Sequence, residues 1–154
     1  MATSTDNSDV VVVSACLVGI RCRYDGQHRE ASHVHAAVAQ KVVVPICPEL
    51  LANMGVPRLS LAYETHNVER LFAEKKGLVD SEGRDRTEEL LNGVQQAVDL
   101  ALKSGARQAI LKERSPSCGV RQVYVGNQLV SGRGMFTICL EKEGIRCLSD
   151  EELR

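Results

Sequence analysis

The sequence has no tryptophan, and aromatic residues of any kind make up only 3% of its 154 positions. Tyr24, Tyr63, Tyr124, Phe72 and Phe136 are too few and too scattered to build the stacking platform on which single-stranded nucleic acids bind. An excess of positive charge is missing too. Lys and Arg number 19 against 20 Asp and Glu, so there is no basic field to displace counterions from DNA or RNA. No apolar run approaches the roughly 20 residues that cross a bilayer. Residues 1–9 have neither the positive start nor the apolar stretch of a secretory signal, which predicts a cytoplasmic protein. No two cysteines stand as C-x-x-C, the pairing that zinc ribbons, thioredoxin-like redox sites and ferredoxin runs require. Neither GxGxxG nor a Walker A motif occurs, so no phosphate-loop fingerprint exists.

What remains is an ordinary globular mixture, 44% hydrophobic and 25% charged, in a chain long enough for one domain with one sizeable core. Residues 1–9 are polar and small and read as a disordered tail, with a single domain over 10–154. The β-branched run Val10–Val13 predicts a strand buried on both faces, and Val42–Ile46 a second one, with Pro45 near its end. Between them, Val34, Ala37 and Val38 predict a short helix at about 30–40. Residues 47–84, rich in Pro and Gly, predict irregular loop with one short helix around 64–76. Asp85 and Glu88 form a capping-box pattern, Leu90, Leu91, Val94, Val98 and Ala101 keep a helical stripe, and Gly105 suits the helix end. Gln108–Leu111 predicts a third strand, and the Gly126-Asn127 turn a hairpin. A helix at about 134–143 and a strand at 145–148 finish the chain. This alternation predicts an α/β fold, a Rossmann-like three-layer domain with a mainly parallel sheet.

Six cysteines in so short a chain point, in a reducing compartment, to metal binding or catalysis rather than disulfides. Cys16 follows the first predicted strand, Cys47 the second, and Cys118 lies seven residues beyond the third. Loops at the carboxyl ends of parallel strands converge on one crevice. Three cysteines distant in sequence can therefore meet there, forming a three-cysteine site with one coordination position open. Cys139 and Cys147 sit in apolar stretches and read as small core residues, and Cys22 stands in a polar loop. Zinc, with His28 or His35 as a fourth ligand, and an iron–sulfur cluster both satisfy this pattern. Spacing alone selects neither.

Three segments carry a resemblance. Val13-Ser14-Ala15-Cys16-Leu17-Val18-Gly19 with Cys22-Arg23-Tyr24-Asp25-Gly26, then Val44-Pro45-Ile46-Cys47-Pro48-Glu49 with Pro57-Arg58, and lastly Leu111-Lys112-Glu113-Arg114-Ser115-Pro116-Ser117-Cys118-Gly119 resemble the small thiouracil/4-thiouridine desulfidases. The resemblance runs from about residue 10 to the C-terminus. It implies a catalytic [4Fe–4S] cluster held by Cys16, Cys47 and Cys118, with Glu49 and Ser115 as the acid/base pair. The implied reaction is replacement of sulfur by oxygen without net redox, releasing hydrogen sulfide. The implied substrate is 4-thiouridine 5′-monophosphate, a product of the turnover of thiolated transfer RNA. Where the family often has Gly-Gly-Leu, this chain has Ala52-Asn53-Met54.

The chemistry is coherent. A thiocarbonyl sulfur is soft and suits iron, and a Lewis acid on that sulfur makes the ring carbon more electrophilic. Glu49, two residues from a ligand, is placed to deprotonate water, and Ser115 to relay a proton. Ser117 suits a hydrogen bond to a cluster sulfur, and Asp25 is a candidate contact for substrate. Among the cations, Arg23 and Arg121 are the expected phosphate partners. The expected partner is thus a small nucleotide, with no nucleic-acid polymer, membrane or protein partner required. Two readings compete: a non-catalytic zinc- or cluster-binding module serving as a partner subunit or redox sensor, and a thiol enzyme using Cys118 as nucleophile beside a histidine.

Overall fold

A computed structural model describes residues 9–153; the tail expected at 1–9 therefore lies outside the described residues apart from Asp9. Two four-stranded sheets organise the chain. The first is wholly parallel, in the order β2-β1-β5-β8, from β1 (Val10–Ser14), β2 (Val42–Ile46), β5 (Gln108–Leu111) and β8 (Arg146–Ser149). The second is mixed, in the order β4-β3-β6-β7, from β3 (Leu61–Tyr63), β4 (Leu78–Asp80), β6 (Gln122–Val125) and β7 (Gln128–Ser131).

Side-chain alternation along the parallel strands divides the core in two. Val11, Val13 and Ile110 face one way, against Val34 and Val38 around the short helix α1 (Ser32–Ala37). Val12, Ala109 and Leu111 face the other, against Leu90, Val94, Ala97 and Ala101 of α4 (Thr87–Ser104) and Phe136 and Leu140 of α5 (Met135–Lys142). That is the expected three-layer arrangement. The mixed sheet joins the second core through Tyr63 and Val123.

Several local expectations need correction. β2 is an edge strand, and Val42 is 60% exposed rather than buried; an edge is also where Pro45 costs no ladder bond. The 47–84 region is mostly loop, with α3 (Val68–Ala73) inside the range expected for its helix. It also holds α2 (Pro48–Leu51) and two three-residue strands, too short to leave a periodic signal. Asp85 does not form a capping box with Glu88. Its carboxylate instead accepts the Thr87 N–H at 3.0 Å and the Gly77 N–H at 2.9 Å, tying the helix start to the mixed sheet.

The chain starts in β1, moves outward to β2, then returns past β1 to β5. The order thus reverses between β1 and β5. At such a switch point the loops leaving the carboxyl ends part to opposite sides and open a crevice.

Candidate functional site

A cavity of about 450 Å³ occupies that crevice, and Cys16, Cys22, Cys47 and Cys118 all line it. Cys16 sits in the 3-10 turn Ala15–Val18 directly after β1. Cys47 is the residue between β2 and α2. Cys118 ends the loop that leaves β5. Each loop has its own anchor. Helix α2, which carries Glu49 in its first turn, rests on Gly93 of α4, where a Cβ would stand 2.3 Å from the Pro48 carbonyl oxygen.

The third loop is held from several sides. The Glu113 carboxylate accepts the backbone N–H groups of Val120 at 2.9 Å, Arg121 at 2.9 Å and Gln122 at 3.1 Å, so one oxygen closes the loop's far end. The Glu113 N–H donates to Asp150 at 2.8 Å. The Ser117 carbonyl accepts the Phe136 N–H at 2.9 Å at the start of α5. Gly134 lets that helix approach, since a Cβ there would lie 2.4 Å from the same carbonyl oxygen. Tyr63, fully buried, donates its hydroxyl to the Pro116 carbonyl. Burial raises the Glu113 pKa, but the loop N–H donors and the Ser149 hydroxyl outweigh it and leave the carboxyl below its ordinary value.

A chain of polar groups crosses the cavity between the second and third loops. Arg58 places Nε at 3.2 Å and Nη2 at 2.9 Å from Glu49 Oε1. The other carboxylate oxygen accepts the Ser117 hydroxyl at 3.0 Å, and Ser117 Oγ lies 3.2 Å from Ser115 Oγ. Ser115 Oγ in turn accepts the Cys118 N–H at 3.0 Å, which fixes the cysteine's backbone. Proton-bearing groups thus run unbroken from Glu49 to the Cys118 loop.

Cys22, Cys47 and Cys118 are poor acids as they stand. Burial pushes Cys118 up to about 12 against the opposing hydrogen bonds of Ser14 and Ser117. Its hydrogen bond with Cys16 is foremost in pushing Cys22 to about 11. Cys47 is raised as well, first by its hydrogen bond with Cys22 and then by burial. Buried sulfurs crowded in this way hold their protons until a positive group replaces them. Soft sulfur donors on separate loops fit a thiophilic metal group. Among the described residues, no three His, Cys, Asp or Glu side chains gather tightly enough for a single ion.

Of the other residues singled out in the sequence, Arg23 lines the cavity, with Nε 3.7 Å from Asp25. Asp25 itself does not line it; its carboxylate accepts the Gln27 N–H and faces Arg29, closing a turn. Arg121 is also outside, 69% exposed and turned towards Glu152. Both depart from the expected substrate contacts because Asp25 is taken up by Gln27, Arg29 and Arg23, and Arg121 by Glu152. His28, His33 and His35 bond to Glu30 or to the Asp150 carbonyl and are absent from the cavity wall. Cys139 and Cys147 pack against the second core. Ala52, Asn53 and Met54 do not line the cavity, so the departure from Gly-Gly-Leu leaves its wall unaltered. Asn53 takes φ +63°, a left-handed conformation that asparagine tolerates where the family often has glycine.

Sequence reasoning overlooked Arg58 as the partner of Glu49, Glu113 as the loop clasp, and Cys22 as a cavity residue. The only signal was their place inside the quoted motifs. Tyr24, Tyr124 and Lys112 also line the cavity. Among the described residues, no helix is long and apolar enough to cross a membrane.

Comparison with known proteins agrees with this geometry. The family model of 2-thiouracil desulfurase matches residues 11–152. The protein YbbK of Bacillus subtilis strain 168 is 33% identical over 147 residues, covering 94% of this chain and 97% of its own. Among solved structures, the [4Fe–4S]-dependent thiouracil desulfidase TudS superimposes with a TM-score of 0.80 at 31% identity, over 94% of this chain and 93% of that one.

Proposed function

This chain belongs to the 2-thiouracil desulfurase family, and we propose that it is a [4Fe–4S]-dependent enzyme converting 4-thiouridine 5′-monophosphate and water into UMP and hydrogen sulfide. The observation that carries the reading is the meeting of Cys16, Cys47 and Cys118 in one cavity with the Glu49–Ser117–Ser115 chain. The three thiols would hold the cluster after losing their protons, and their spread over three loops suits a group with several metal corners. Held by those three alone, the cluster would keep one iron free for substrate. Bound there, the cluster supplies a soft Lewis acid for the thiocarbonyl sulfur.

The chain's own residues supply the rest. Arg58 fixes one oxygen of Glu49, so the other is aimed at the cavity, where it takes a proton from water as the oxygen adds to the ring carbon. Ser117, bonded to that second oxygen, passes the proton on to Ser115 and so to the sulfur side. The C=S bond becomes C=O, water's two protons leave with sulfur as H₂S, and no electron is exchanged. Arg23 is the phosphate partner: it lines the cavity and its buried Nε makes no hydrogen bond. Tyr24 and Tyr124, beside it on the wall, offer apolar faces for the pyrimidine. Turnover of thiolated transfer RNA is the source of substrate, and the cytoplasm the site of action.

The test is anaerobic reconstitution. The loaded chain should carry about four irons and four sulfides, and should bleach 4-thiouridine 5′-monophosphate with one sulfide formed per UMP. A colourless protein holding one zinc and no sulfide would refute the proposal. Turnover of 2-thiouracil without turnover of the nucleotide would refute the substrate assignment and leave the family reaction standing.

A further inference from the structure

The cavity contains one thiol more than the proposed cluster needs. Cys22 is 2% exposed and lines the cavity wall. Its side chain shares one buried cluster with Cys16, and Cys47 packs against that cluster, so it lies between two of the three metal-holding loops. Its backbone is fixed with unusual care for a loop residue. The N–H donates to the Ile20 carbonyl at 2.9 Å. The carbonyl accepts Arg58 Nη2 at 2.8 Å and faces the Cys47 thiol at 3.9 Å. Arg58 therefore joins Cys22 to Glu49 within one guanidinium. Cys139 and Cys147, by contrast, sit against apolar neighbours of the second core. A cysteine kept only for its volume has no need of this setting.

We propose that Cys22 is a positioning residue for the metal centre, its S–H donating a hydrogen bond to a ligand sulfur, with Cys16 the first acceptor, while taking no iron itself. The inference rests on the cluster-binding reading above. A ligand thiolate buried away from water keeps negative charge that a nearby donor stabilises, and an S–H is a weak donor suited to sulfur. Charge drawn towards the S–H is charge withheld from the iron. Hydrogen bonds to the sulfurs set where a cluster sits within its wide range of reduction potentials. They also make an iron with an open position a stronger acceptor of the substrate's sulfur. If Cys22 instead ligated the fourth corner, the substrate would have no place to bind.

The two roles separate experimentally. Wild-type, Cys22→Ala and Cys22→Ser chains are reconstituted anaerobically and compared by iron and sulfide content and by a potentiometric titration followed by electron paramagnetic resonance. The expected result is the same iron content in all three. The potential should be more negative in Cys22→Ala, and Cys22→Ser, which retains a donor, should recover most or all of the difference. Loss of one or more irons in both variants would overturn the proposal by making Cys22 a ligand. Equal potentials in all three would overturn it by making the thiol a filler. A wild-type chain that takes up no cluster would instead refute the functional reading beneath it, so the two failures cannot be confused.

Discussion

Replacing Arg58 by lysine keeps the charge beside Glu49 and removes the fork that aims it. The guanidinium makes four hydrogen bonds: Nε and Nη2 to Glu49, Nη2 to the Cys22 carbonyl, and Nη1 to the Gly55 carbonyl at 2.8 Å. The pair is nearly dry, with side-chain exposures of 7% for Arg58 and 12% for Glu49. A lysine ammonium on its flexible stem reaches Glu49 or the carbonyls but not all of them in one pose. Two or three acceptors are left short of a donor, at about 1 kcal/mol each, giving a loss of roughly 2–3 kcal/mol. For a chain of this size that lowers the Tm by about 4–12 °C. The carboxylate also loses its fixed orientation, and small misplacements of a reacting group cost as much as about 100-fold in rate. Thermal unfolding of the metal-free chain reads the first effect. Anaerobic turnover at constant iron content reads the second, which should fall on kcat more than on KM. An unchanged Tm with a raised KM alone would refute the reasoning, since Arg58 would then be holding substrate rather than Glu49.

Three other outcomes follow from the same geometry. Cys16→Ala, Cys47→Ala and Cys118→Ala should each abolish stable cluster uptake, read as iron and sulfide per chain, whereas Cys139→Ala should retain both. Gly134→Ala drives a methyl against the Ser117 carbonyl at 2.4 Å; strain of this kind costs about 1–3 kcal/mol, and calorimetry should show the lowered Tm together with weakened iron retention. Glu113 has a folded pKa below its ordinary value of 4.5, so its stabilisation is fully present above about pH 4.5 and is lost as the pH falls through the folded value. Urea midpoints of wild type and Glu113→Gln should therefore differ most near neutral pH and converge in acid. A difference that grows as the pH falls would contradict the assignment.

The parallel sheet was legible because Val10–Val13 and Gln108–Leu111 are buried runs whose composition leaves little alternative. Once those strands were placed, the general behaviour of strand ends carried Cys16, Cys47 and Cys118 into one crevice without any local motif. The mixed sheet was not legible. Leu61–Tyr63 and Leu78–Asp80 are three residues each, and a period of two cannot declare itself over three positions. Within the site, residue type was readable but direction was not. Arg23 and Arg121 are alike in sequence as basic residues close to cysteine motifs, yet one meets the cavity and the other turns to Glu152. Arg58 and Cys22 were hidden for the same reason, since what they touch lies 9 and 25 residues away along the chain.

Gly93 shows how far the chemistry reaches into the scaffold. By helix propensity alone an alanine there should be worth about 1 kcal/mol, and a stability-minded engineer would make that change first. The added methyl would meet the first residue of a four-residue helix at 2.3 Å and push it outward, carrying Glu49 along. That clash costs about 1–3 kcal/mol, which offsets the propensity gain, and it displaces the base. An alanine at that position should therefore bring no thermal tolerance and should cost turnover, however distant the substitution looks along the chain.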